Sequence, residues 1–90
     1  MHNIKSAIDK LEPAYGSVLV NPVFGEDRTN WGVYLAADCW EGTVTAVSCD
    51  EDLVVGQRVL FAKESSVDLF RDGSVVRVKV DDILAIVKSQ

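Results

Sequence analysis

Ninety residues carrying 14 acidic against 9 basic side chains, a net charge of −5, with 48% of positions hydrophobic, describe one small domain that gains from burying surface against copies of itself. The acidity opposes phosphate backbones and no Lys/Arg cluster with interleaved aromatics offsets it, which excludes a nucleic-acid partner. No apolar run approaches the roughly 18 residues of a membrane span and the N-terminus lacks the charged-then-apolar pattern of a signal peptide, so the sequence reads as cytoplasmic, with no membrane partner.

Residues 1–10 form an extension that differs from the remainder, 11–90, which reads as a single β domain. Ile4, Ile8 and Leu11 recur at helical spacing with Ala7 on the same stripe, predicting a short amphipathic helix over Asn3–Lys10 that is marginal in isolation. A docking arm and a frayed terminus are both consistent with it. After it come Leu11-Glu12-Pro13 and then Val18-Leu19-Val20, an apolar segment mirrored at the other end by Asp82-Ile83-Leu84-Ala85-Ile86-Val87. Two such apolar ends on a small β domain call for burial, and another subunit is the place for it. Pro13 suits a strand start or an edge, because it cannot donate to a ladder.

Valine fills 15 of the 90 positions, and β-branched side chains favour a pleated, half-buried surface. Strands are predicted at Ser17–Val20, Gly42–Val47, Arg58–Ala62, Val67–Phe70, Val75–Val80 and Ile83–Val87. Val76, Val78 and Val80 share one face, Arg77 and Lys79 the other. Asp72-Gly73 between Phe70 and Val75 predicts a hairpin, and Val55-Gly56-Gln57 a second turn. Short strands separated by such turns, almost without helix, predict an all-β fold, a small, closed or partly closed barrel.

The exception is 22–41, which has no sustained period, two glycines, scattered charges and the aromatics Phe24, Trp31 and Trp40. A loop of about 20 residues in a small domain is usually functional or disordered. Inside it Val33-Tyr34-Leu35, preceded by Gly32, is a compact apolar tripeptide of the kind that adds to a partner's edge or groove, or packs as a short strand on its own core.

Catalytic and metal chemistry find no purchase. Asp50-Glu51-Asp52 and Asp81-Asp82 fall in turns, where carboxylates are solvated or cap. His2, Cys39 and Cys49 lack the ligand spacing of a zinc site, and no Gly-rich dinucleotide or phosphate loop is present. Without a signal peptide, Cys39 and Cys49 read as free thiols. The expectation is a protein that is not an enzyme and has no metal or cofactor.

Three blocks in order carry a resemblance to the GroES (chaperonin-10) co-chaperonin family. Leu11-x-Pro13 followed by Val18-Leu19-Val20 resembles its opening strand. Gly42-Thr43-Val44-Thr45-Ala46-Val47 and Val55-Gly56-Gln57-Arg58-Val59-Leu60-Phe61 resemble its barrel strands, and Asp82 to Val87 its closing segment. The resemblance implies a GroES-like partly closed β-barrel with a flexible loop, assembled into a homo-oligomeric ring of seven that caps an ATP-dependent, GroEL-like chaperonin and encloses unfolded polypeptide. ATP would act on the partner, not on this chain.

The resemblance further implies a subunit interface in which the opening segment, with Leu11 and Pro13, meets the neighbour's closing strand, Ile83, Leu84, Ala85, Ile86 and Val87. It places Gly32, Val33, Tyr34 and Leu35 where the family's loop enters an apolar groove on the chaperonin's apical domain. Three features depart from the family pattern. Gly16-Ser17 replaces an Asp-Arg pair, Tyr34 replaces a smaller aliphatic residue, and Ser48–Val54 leaves no room for the hairpin that roofs typical bacterial members. An open-topped ring resembles phage-encoded co-chaperonins, for which the bacterial host cytoplasm would be the setting. The alternative is a ring-forming structural or adaptor protein, such as a viral assembly component, without chaperonin binding.

Overall fold

Stretches rich in valine pleat into six antiparallel strands in a computed structural model that describes residues 10–48 and 52–88. They are β1 (Ser17–Val23), β2 (Cys39–Val47), β3 (Arg58–Ala62), β4 (Ser66–Asp68), β5 (Val76–Lys79) and β6 (Ile83–Val87). One sheet joins them in the order β4-β5-β1-β2-β3-β6. The only helical pieces among the described residues are three 3-10 turns, at Gly25–Asp27, Lys63–Ser65 and Val80–Asp82. The helix expected over Asn3–Lys10 lies outside the described residues except for Lys10, as do His2 and Cys49.

With no α-helix among the described residues to cover it, the sheet covers its own apolar face by curling into a partly closed barrel. Val18 and Val20 of β1, Val44 of β2, Val59 and Phe61 of β3, and Val76 and Val78 of β5 meet inside, joined by Leu53, with Trp40, Val47, Val80 and Ile83 packed against them. The alternation expected in the fifth strand is present: Val76 and Val78 are buried while Lys79 is exposed. The strand is shorter than expected, however, and Val80 opens a 3-10 turn.

The Asp72-Gly73 hairpin forms as the sequence predicts. Gly73 takes φ +72°, its N–H donates to the Phe70 carbonyl at 3.1 Å, and Ser66–Asp68 then pairs with Val76–Val78. Gly56 likewise turns at φ +97°, its N–H donating to the Val44 carbonyl at 2.8 Å.

Two pairings are irregular. Thr45 is the extra residue where β1 meets β2, since Leu19 faces Ala46 and Val20 faces Val44. Leu84 is the extra residue where β6 meets β3, since Leu60 faces Ala85 and Phe61 faces Ile83. Such bulges bend a strand and increase its twist, which a curling sheet requires.

The edge assignment drawn from Pro13 is corrected by this topology. Val18–Val20 is central, paired with β2 on one side and β5 on the other, and Pro13 lies four residues before the strand begins, buried in its own protomer. The apolar edge is β6.

Candidate functional site

The stretch expected as a loop over 22–41 is narrower in the structure, because β1 runs on through Pro22 and Val23 and β2 starts at Cys39. Pairing of β1 with β5 ends at Val20, so beyond it β1 has a neighbour on one side only, where a strand tolerates proline. What remains between the strands is Phe24–Asp38, and it folds back over the end of the barrel.

Glu41 anchors that segment. On β2, Trp40 and Gly42 serve the core face, so strand alternation turns Glu41 to the opposite face, where a carboxylate ordinarily meets water. Instead its side chain is 0% exposed. Oε1 accepts from the Thr29 backbone N–H at 3.0 Å and from the Trp31 indole Nε1–H at 2.8 Å. Oε2 accepts from the Thr29 hydroxyl at 2.9 Å and from Arg58 Nη1 at 2.8 Å. The same Arg58 Nη1 donates to the Asp27 carbonyl at 2.9 Å. Burial works against ionisation of Glu41, but the bonds from Trp31, Arg58 and Thr29 outweigh it and hold the carboxyl below its ordinary range.

The three aromatics left open by the sequence all turn toward the barrel end. Trp31 bonds to Glu41, and Phe24 meets Trp40 edge to face, with ring centroids 5.1 Å apart. Lys63 Nζ lies 5.4 Å from the centroid of the Trp40 ring. Cys39 is a free thiol whose pKa is pushed up by burial and by neighbouring Asp38, with Arg28 opposing.

Beyond Trp31 the contacts thin out. Among the described residues, Gly32–Ala37 make only local hydrogen bonds: Gly32 N–H to Asn30 Oδ1 at 3.2 Å, Tyr34 N–H to the Trp31 carbonyl at 3.2 Å, and Cys39 N–H to the Ala36 carbonyl at 3.1 Å. Gly32, at φ +62°, makes the sharp turn that lifts the next two side chains away from the protein. Val33 is 93% exposed and Tyr34 91%, while Leu35 is half-buried. The structure thus brings the four expected contact residues together at the tip of the segment. Glu41, Thr29 and Arg58, which bond the stretch that leads to that tip, were missed by sequence reasoning; an acid flanked by Trp40 and Gly42 carries no local sign of its distant donors.

The second apolar surface is the free edge of β6. Leu84 is 60% exposed and Ile86 is exposed beside it, whereas Ile83 and Val87 are half-buried. A groove of mixed character beside this edge is lined by Val54, Val55, Ile86 and Val87 together with Thr29, Gly56, Gln57, Arg58 and Lys88. Leu11 is exposed, and Pro13 borders a separate hollow with Glu12, Tyr15, Val47 and Ser48. The expected interface residues therefore lie in two places on one protomer, the opening segment and the closing edge.

No family model matches the chain. Among curated proteins, it is 33% identical over 85 residues to the co-chaperonin GroES of Thermosipho melanesiensis, a match that covers 84% of this chain and 94% of that protein. The likeness runs along nearly the whole of that relative, and the helix-poor antiparallel barrel described above is consistent with it. The chain belongs to the GroES co-chaperonin family.

Proposed function

We propose that this chain is the subunit of a ring-shaped lid that caps an ATP-dependent, GroEL-like chaperonin and encloses folding polypeptide. In this reading Gly32, Val33, Tyr34 and Leu35 enter an apolar groove on the chaperonin's apical domains. The observation that carries it is the exposure of Val33 and Tyr34, two large apolar side chains held out at the tip of a turn where a solitary protein gains nothing from them. The lid has no chemistry of its own to perform; ATP and its hydrolysis belong to the partner, and the subunit needs neither catalytic residue nor cofactor.

The ring is seven-membered, with the neighbour's opening segment, at its exposed Leu11, laid along the free edge of β6 at Ile83–Val87. Pairing of that edge in a closed ring removes an apolar strand edge that would otherwise recruit other chains. A segment that orders on binding gives weak individual contacts, and seven tethered copies supply the avidity. The short link from Val47 to Leu53 gives the ring an open crown, and its place of action is the cytoplasm.

Binding to a bacterial GroEL-type chaperonin with nucleotide, followed by light scattering or co-sedimentation, tests the contact. Val33→Asp and Leu35→Asp each place a charge in an apolar groove and should weaken binding by about tenfold or more while leaving the circular dichroism spectrum unchanged. Unaltered binding by both variants would assign the contact elsewhere, and no binding by the native chain would favour the ring-forming adaptor.

A further inference from the structure

The segment between β1 and β2 is built in two unlike limbs, and one side chain separates them. In the first limb, Asp27 and Arg28 close a 3-10 turn through backbone bonds to Phe24 and Gly25, at 3.2 Å and 3.1 Å. Arg58 grips the Asp27 carbonyl, and Glu41 takes three bonds from Thr29 and Trp31. In the second limb, the hydrogen bonds of Gly32–Ala37 among the described residues run no further than Asn30, Trp31 and Cys39, and Val33 and Tyr34 are almost fully exposed while Leu35 is half-buried against the first limb.

We infer that Glu41 is a positioning residue, a latch that fixes the first limb to the barrel and so confines freedom of movement to Gly32–Ala37. Each carboxylate oxygen accepts two bonds, which uses the acceptor capacity of the group in full. All of its donors other than Arg58 come from the segment itself, and Arg58 holds that segment too through Asp27. A carboxylate kept only for the barrel's stability has no need of bonds to a loop. The arrangement leaves a short tip to be ordered on contact and a rigid base to aim it, so the entropy lost on binding falls on six residues instead of the whole segment.

The latch stands on the protein alone; its consequence for affinity rests on the lid reading. Two proteases report on the two limbs in the intact chain. Arg28, half-buried in the first limb, is a trypsin site, and Tyr34 at the tip is a chymotrypsin site. In Glu41→Gln an amide donor faces donors, two of the four bonds are lost, and tryptic cleavage after Arg28 should rise by about tenfold. Chymotryptic cleavage after Tyr34 should change less than about twofold, because that limb is already free of the latch.

Arg77, within β5, is the internal control, since its cleavage reports loss of the barrel. Should Glu41→Gln expose Arg77, Trp31→Phe and Thr29→Ala each remove donors without stranding a buried charge, and the same rise at Arg28 is expected. An unchanged rate at Arg28 in every folded variant would overturn the latch. Chaperonin affinity of the same variants, with Val33, Tyr34 and Leu35 intact, should fall by about tenfold. Equal affinity despite a released first limb would overturn its role in aiming the tip, whereas absence of binding by the native chain would sink the lid reading and leave the protease result to decide the latch.

Discussion

At the scale of single residues, Glu41 shows how burial and ionisation are reconciled. Its donors lie 12, 10 and 17 positions away in sequence, at Thr29, Trp31 and Arg58, so no local pattern marks it. That is why the reading from sequence closed the loop on Glu41 and gave it no role, whereas Val33 and Tyr34, whose exposure follows from a local glycine turn, were legible. Replacing Glu41 by Gln should cost about 1–3 kcal/mol at neutral pH, since donors that it satisfied are left facing an amide. Because its folded-state pKa lies below the unfolded value of about 4.3, the stabilisation is complete above that pH and is lost as pH falls through the folded value. Thermal unfolding of both proteins should therefore show a gap of several degrees at pH 7 that narrows toward pH 3. A gap independent of pH would mean that the carboxylate is not held ionised by these bonds.

Among the elements, hairpin and turn chemistry proved the easiest to read, because Asp72-Gly73 and Gly56 act within a few residues. Strand ends did not, since the continuation of β1 through Pro22 depends on where its pairing with β5 stops. Gly42, the first residue of the Gly-x-Val-x-Ala-Val block, has a packing reason that sequence alone does not reveal. A Cβ there would overlap the Val20 side chain and come within 3.1 Å of both the Asn21 carbonyl oxygen and the Phe61 ring. Gly42→Ala should destabilise the barrel by about 1–3 kcal/mol, read as a lower denaturation midpoint, and a neutral result would mean that β1 and β3 can part at no cost. The edge strand was legible as an apolar run but not as a bulged one. Leu84, the bulged and exposed residue, is where a charge should hurt assembly and spare the protomer: Leu84→Lys is expected to keep the protomer's unfolding free energy within about 0.5 kcal/mol while lowering the native mass. A variant that still forms full-size rings would place the seam elsewhere.

For the whole molecule, the order of three sequence blocks carried more than any one of them, and the barrel that they predicted is the one observed. The ring that the same blocks imply by resemblance depends on surfaces that one chain leaves free, Leu84 and Ile86 of β6 among them. If seven subunits of charge −5 gather, screening governs them. Lowering the ionic strength from 0.15 M to 0.01 M lengthens the Debye length from about 8 Å to about 30 Å, so rings should loosen at low salt, seen by analytical ultracentrifugation at fixed concentration. Tighter rings at low salt would show that attraction between unlike charges across the seam dominates. The central claim is that the assembled chain closes a chaperonin cage, and its most direct test is refolding of a stringent substrate by a GroEL-type chaperonin with ATP. Addition of this protein should release active substrate to a yield well above chaperonin and ATP alone; a yield no higher, in a reaction that an established bacterial co-chaperonin rescues, would contradict it.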